Sequence, residues 1–164
     1  MDHQSILEML NHSAGDLKRI MESIPAEWLH WHEEHEWSPH ETLAHVVKSE
    51  RQVDLVRIRR IAEEDRPVLK YFDEVAWHQT HYDPQQSIDM LLKDYLDARR
   101  EEIEILRAQA DWARWGLHAT VQKRYSLDFQ ARHALNHTWE HLNQIETTLL
   151  HCELAKQSPT LNAQ

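Results

Sequence analysis

The sequence predicts an all-α domain built as a four-helix bundle. Only two glycines and five prolines punctuate 164 residues, and apolar residues recur at intervals of three and four along four long segments. One connection between those segments is short and two are long, and long connections in a bundle often cover a site. No internal repeat or low-complexity run interrupts the pattern.

The first helix is expected from about Ser5 to Ile24, where Ile6, Leu10, Ala14, Leu17, Met21 and Ile24 form one stripe and Pro25 ends it. The second starts at Ser38-Pro39-His40-Glu41. Ser38 is a capping residue, Pro39 suits the first helical position, and Glu41 reaches back to close a capping box. This helix is expected to run to about Glu64. Its apolar residues, among them Leu43, Val46, Val47, Leu55, Val56 and Ile58, spread over more than one face, which calls for two neighbouring helices or a second subunit. Asp83-Pro84-Gln85-Gln86 repeats the starting pattern for the third helix, whose stripe of Ile88, Leu91, Leu92, Tyr95, Ala98 and Leu106 extends to about Gln109. The fourth opens at Ser126 and runs to about Glu153. Residues 66–82 and 110–125 read as long loops after the second and third helices. The bundle domain is expected over 1–155, followed by a polar, frayed tail at 156–164.

A chain of this length buries most of an apolar core without disulfides or a structural metal, so a metal would serve function rather than folding. Lys plus Arg is 18 against 28 for Asp plus Glu, and the resulting charge of -10 repels phosphate backbones, which argues against nucleic acid. Cys152 has no second cysteine to pair with, and MDHQSILEML has neither a basic start nor a long apolar stretch, pointing to the cytoplasm. No apolar run approaches the roughly 20 residues that span a bilayer.

The chemistry lies in the histidines. His133, His137 and His141 form a ladder in HALNHTWEHLNQI, and a distant His45 stands in HETLAHVVKSE. Side chains at i and i+4 are about 5 to 6 Å apart at Cβ, which suits two ligands that must each come within about 2.0 to 2.1 Å of zinc. A third ligand must come from another helix, and His45 shares its face with Ser49, Gln52 and Val56. With 14 histidines in the chain, on the order of one such pair arises by chance. Spacing alone therefore leaves two readings: His137 and His141 share a metal, or they hydrogen-bond to carboxylates or water. They border the stripe of Leu135, Leu142, Leu149 and Cys152. An unpartnered imidazole there costs on the order of 1 to 3 kcal/mol, which a shared metal removes.

His133 is either a fourth ligand or a group behind the ligands. Three histidines leave the open position that catalytic zinc sites keep, so His133 and the loop residue His118 are candidate proton carriers. Gln144, on the face of the pair, is a candidate to hydrogen-bond a ligand or bound water. Glu41 either orients His45 or caps its helix, and the cap is favoured. His30, His32 and His35, set among Trp28, Trp31 and Trp37, form either a surface metal site or a solvated cluster, the latter favoured. Trp77, Trp112, Trp115 and Trp139 read as core or lid packing. With no nucleophile elbow, phosphate-cradling loop or paired cysteines, a metal is the only evident chemical resource.

These segments resemble a known family. EWSPHETLAHVVKSE resembles the helix start and histidine of DinB-like proteins, HTWEHLNQI resembles their histidine pair followed by glutamine, and LLKDYLDARREEIEIL with ADWARWGLH resembles their third helix and the loop after it. The resemblance covers most of the chain. It implies a four-helix bundle of the DinB/YfiT-like type, often a homodimer, holding one divalent metal ion, usually zinc or nickel, on a triad that maps onto His45, His137 and His141. The wider superfamily includes YfiT-like hydrolases, bacillithiol transferases and mycothiol-dependent maleylpyruvate isomerases. Activity therefore means hydrolysis, or transfer of a low-molecular-weight thiol, on a small molecule. Thr138 departs from the aspartate often found after the first histidine of the pair, and the loop after His118 lacks a frequent glycine. A stress-related protein that holds metal or a small ligand without turnover is the competing expectation. A dimeric bundle with merely hydrogen-bonded histidines is a third.

Overall fold

A computed structural model describes residues 2–157, the side chains of Glu74, Val75 and His78 apart. Helix α1 (His3–Ser23) starts two residues earlier than expected, because Asp2 Oδ1 accepts the Ser5 N–H at 2.8 Å. Helix α2 (Pro39–Ser49) opens with both halves of the expected capping box: Glu41 N–H donates to Ser38 Oγ at 3.3 Å, and Ser38 N–H to Glu41 Oε2 at 2.9 Å. Beyond Ser49 the chain does not continue as one regular helix. A π-helical turn, Glu50–Asp54, leads into α3 (Leu55–Glu63). The widened turn holds Glu50 and Asp54 both inward, 1% and 0% exposed, where polar partners await them.

The third long helix, α5 (Ile88–Ala108), begins later than Asp83. Asp83 instead accepts the Gln85 N–H at 2.9 Å in a local turn, and Ser87 caps α5 by accepting the Met90 N–H at 3.2 Å. Buried His40 on α2 ties this turn down, with Nδ1 2.8 Å from Tyr82 Oη and Nε2 2.8 Å from the Gln86 carbonyl. Helix α6 (Leu127–Gln157) outlasts the expected end near Glu153. Lys156 and Gln157 of the expected tail are thus helical, and 158–164 lie outside the described residues.

Neither long connection is plain loop. Residues 66–82 carry β1 (Val68–Leu69) and α4 (Glu74–His81), while 110–125 carries β2 (Trp115–His118) and most of β3 (Arg124–Ser126). The strands form a sheet in the order β1-β2-β3, parallel then antiparallel, with Leu69 opposite His118. Runs of two to four residues are too short to display alternation in sequence. Gly116 makes the sheet possible: a Cβ there would lie 2.8 Å from Leu69 Cγ and 2.9 Å from the Pro67 carbonyl. In the turn after His118, Gln122 takes φ 54°, the conformation that glycine would adopt without strain.

Two apolar clusters fill the interior. One contains Leu10, Ile103 and Leu135, the other Ala14, Tyr95 and Leu142. Helix α2 packs against both α5 and α6, while Val56 on α3 is 39% exposed. Among the described residues no helix is long and apolar enough to cross a membrane.

On α1, α5 and α6 alike, a polar layer around Arg99 separates the clusters. Arg99 is 1% exposed. Its Nε and Nη2 donate to Glu50, the second bond at 2.7 Å, and Nη2 also reaches Thr138 Oγ1 at 3.0 Å. Nη1 approaches the Leu10 carbonyl at 3.5 Å. Tyr95 Oη lies 3.0 Å from the same Thr138 hydroxyl. Glu102 Oε2 is 3.2 Å from Arg99 Nε, without the alignment of a hydrogen bond. Burial, reinforced by the neighbouring Glu50, pushes Glu102 well above the usual carboxylate range, beside a Glu50–Arg99 ion pair.

Removing one partner of a buried pair leaves the other charge uncompensated. Arg99→Met is therefore expected to lower unfolding free energy by about 3 to 5 kcal/mol in urea titration. A loss under about 1 kcal/mol would show that the layer does not hold the bundle together.

Candidate metal centre

His45 stands two turns into α2, and His137 and His141 stand one turn apart on α6, which packs against it. The three imidazoles converge through the same atom. Nε2 of His137 lies 3.2 Å from Nε2 of His45 and 3.1 Å from Nε2 of His141. Among the described residues this is the one group of three or more His, Cys, Asp or Glu side chains arranged to hold an ion. His45 is 4% exposed, while His137 and His141 are half-buried, so the centre lies just inside the rim of the bundle. Trp37 packs against His45 with ring centroids 4.9 Å apart.

Gln144 fixes one tautomer. His141 Nδ1–H donates to Gln144 Oε1 at 2.8 Å, which turns the lone pair of Nε2 toward the other two rings. Burial, then the adjacent His141 and His45, pushes His137 down to about 2. Burial also lowers His141, opposed by the bond to Gln144. Both rings are neutral at pH 7, the form that binds metal. One N–H on His137 cannot satisfy two acceptors at once, and three lone pairs facing one point repel unless a cation lies among them. Four-coordinate ligands at about 2.0 to 2.1 Å from zinc are separated by about 3.3 to 3.4 Å, close to the spacings found. The donor set thus fits one divalent ion with a fourth position left over.

His133 stays outside this group. Its ring lies parallel to that of His137 with centroids 6.1 Å apart, and its Nδ1 is 2.9 Å from Asp54 Oδ1. Asp54 is fully buried, and Gln130 Nε2 donates to the same oxygen at 3.3 Å. Burial pushes the Asp54 carboxyl up, and the His133 bond pulls it back. His118 sits farther off, on β2, with Nε2 3.3 Å from Arg57 Nη2. A ladder of rings connects it to the triad: His118 to Tyr125 at 5.1 Å, Tyr125 to Phe129 at 4.4 Å, and Phe129 to His133 at 6.1 Å.

Glu41 is engaged in the helix cap. His30, His32 and His35 do not converge: His30 packs on His40, His32 Nδ1 donates to the Glu33 carbonyl at 2.8 Å, and His35 is exposed at φ 70°. Trp112 is core, Trp139 is 42% exposed, and Trp77 packs under Lys48. Thr138 turns away from the imidazoles and serves the Arg99 layer. Asp54, Gln130 and Arg57 were not singled out in the sequence. Their signal was present as charged or polar residues inside the apolar run VDLVRI and on the inner face of α6, positions where burial demands a partner.

Comparison with known proteins agrees with the fold. YfiT from Bacillus subtilis, described as a probable metal-dependent hydrolase with an unusual four-helix bundle topology, superposes with a TM-score of 0.84 at 16% identity, over 93% of this chain and 90% of its own. TT2238, a four-helix bundle protein, gives a TM-score of 0.64 at 19% identity, over 88% of this chain and 98% of its own. At these identities the likeness shows the fold. No curated protein matches the sequence. The sequence pattern of the DinB superfamily matches residues 9–145, and the chain belongs to that superfamily.

Proposed function

We propose that this protein is a metal-dependent hydrolase or thiol transferase acting on a small molecule, with one zinc or nickel ion held by His45, His137 and His141. The observation that carries the reading is the convergence of three Nε2 atoms, those of His45 and His141 lying 3.2 and 3.1 Å from that of His137. The description of YfiT as a probable metal-dependent hydrolase supports it. A divalent ion on three imidazoles with an open position supplies Lewis acidity that activates water or a thiol near neutral pH.

The residues around the triad then divide the work. Gln144 holds His141 in the ligand tautomer. Trp37 and the burial of His45 keep bulk water from one side. Asp54 accepts the Nδ1–H of His133, which makes Nε2 the basic nitrogen and orients the ring beside His137. His133 is thereby suited to carry a proton to or from a nucleophile at the centre. This Asp54–His133 pair favours turnover over storage, since a binding protein has no use for an oriented base. His118, next to Arg57, is better placed to meet the far end of a substrate than to move protons at the triad.

Protein purified without chelator or histidine tag is expected to contain close to one equivalent of zinc or nickel by elemental analysis. His137→Ala and His141→Ala lose it, and Gln144→Leu weakens affinity by about 10- to 100-fold. Unchanged metal content in both histidine variants would overturn the proposal. In a screen of esters, amides and thiol-acceptor electrophiles, Asp54→Asn and His133→Gln are expected to lower kcat by roughly 10²-fold or more at unchanged metal content. Full activity in both would remove His133 from the mechanism.

A further inference from the structure

Five rings stand four residues apart in the sequence: Tyr125, Phe129, His133, His137 and His141. From Phe129 onward all lie on α6, where residues so spaced are neighbours on the helix surface. Successive centroids are 4.4, 6.1, 6.1 and 4.5 Å apart. The strip therefore starts on two imidazoles of the centre and leads away from them ring by ring, with Phe129 about 12 Å along the helix from His137.

This strip is not core. The interior at this end of α6 is filled by Leu127, Gln130 and Ala131, all 0% exposed, whereas Phe129 is 42% exposed and the His133 side chain 41%. A single apolar side chain on a surface needs no explanation. Phe129 differs because its ring continues a path that ends on the metal centre. Charged groups beside the path are already engaged: Asp128 with Arg132 at 2.9 Å, and Asp54 with His133 at 2.9 Å. What the strip offers a ligand is ring surface, and a ring gains more from another ring than its buried area alone supplies, through offset or edge-to-face contact.

We propose that this strip is the specificity surface of the centre: it takes an uncharged planar aromatic group against Phe129 and His133 while the reacting group lies at the three imidazoles. The placement of the reacting group rests on the metal-centre reading. Phe129 is the residue that selects a ring over a saturated apolar group. Contact with the face of His133 leaves the edge of that imidazole, which carries Nε2, for proton transfer. The substrate class is then an aryl compound whose ring stands one to two ring lengths from the bond that reacts.

The test is calorimetric titration of the zinc-loaded full chain with three hydroxamates, which grip zinc through the same head group. These are acetohydroxamate, biphenyl-4-carbohydroxamate and 4-cyclohexylbenzohydroxamate, whose outer ring is saturated. The biphenyl compound is expected to bind about tenfold more tightly than acetohydroxamate or better, and about threefold more tightly than the cyclohexyl compound. Phe129→Ala weakens the biphenyl compound about tenfold and leaves acetohydroxamate unchanged, and Phe129→Trp keeps the preference for the aromatic outer ring. Equal binding of the biphenyl and cyclohexyl compounds, or a biphenyl affinity that survives Phe129→Ala, overturns the inference. Should Phe129→Ala fail to fold by circular dichroism, an undiminished aromatic preference in Phe129→Leu overturns it instead. Zinc content measured on the same samples separates the two proposals. Zinc without the aromatic preference contradicts the strip alone. Absence of zinc contradicts the metal-centre reading alone, and NMR titration of the metal-free chain with 2-naphthol then decides the strip: shifts at Phe129 and His133 support it, and their absence overturns it.

Discussion

The structure depends on one buried guanidinium. Arg99 extends from α5 to the π turn through Glu50, to α6 through Thr138 and to α1 through the Leu10 carbonyl. Glu50 directly follows the helix that carries His45, and Thr138 directly follows His137. The same ion pair that joins the two apolar clusters therefore sets the distance between the helices whose imidazoles must meet. A bundle held by apolar side chains alone could slide by a fraction of a turn with little change in buried area, because hydrophobic contact is not directional. A two-pronged bond from Arg99 to Glu50 allows no such slip.

The π turn extends this logic to the chemistry. Residues at i, i+3 and i+4 share one face of a helix, and Glu50, Val53 and Asp54 do so here within the π turn. The widened turn holds both acids and Val53 inward. Glu50 thereby serves the scaffold and Asp54 serves His133. Thr138 belongs to the same division, as a neutral hydroxyl that accepts from Arg99 and leaves Glu50 as the carboxylate of the pair. His118 is held neutral by burial and by the adjacent Arg57, which suits it to back a guanidinium.

Much of this was legible in the sequence, for reasons that particular residues make plain. The Ser38-Pro39-His40-Glu41 start is a local interaction, and local interactions are written in adjacent letters. The i,i+4 spacing of His137 and His141 is likewise local, and His45 could be joined to them because its helix was recognisable. The π turn was not legible, since ERQVD carries no proline or glycine to mark it and the demand for it comes from Arg99 and His133, 49 and 79 residues away in sequence from their partners. Asp83 misled because it satisfies its own backbone two residues on, a pattern that a helix start and a turn share. The short strands were hidden because pairing between residues 68 and 117 depends on Gly116, whose role is the space it leaves for Leu69.

The central claim is that three imidazole Nε2 atoms, from α2 and α6, share one divalent ion. X-ray absorption spectroscopy at the zinc edge of the zinc-loaded protein tests it most directly. The account predicts a four-coordinate shell near 2.0 to 2.1 Å with the outer-shell scattering of about three imidazoles, falling to about two in His45→Ala. A shell of oxygen atoms without imidazole scattering, or a spectrum that His45→Ala leaves unchanged, would contradict it.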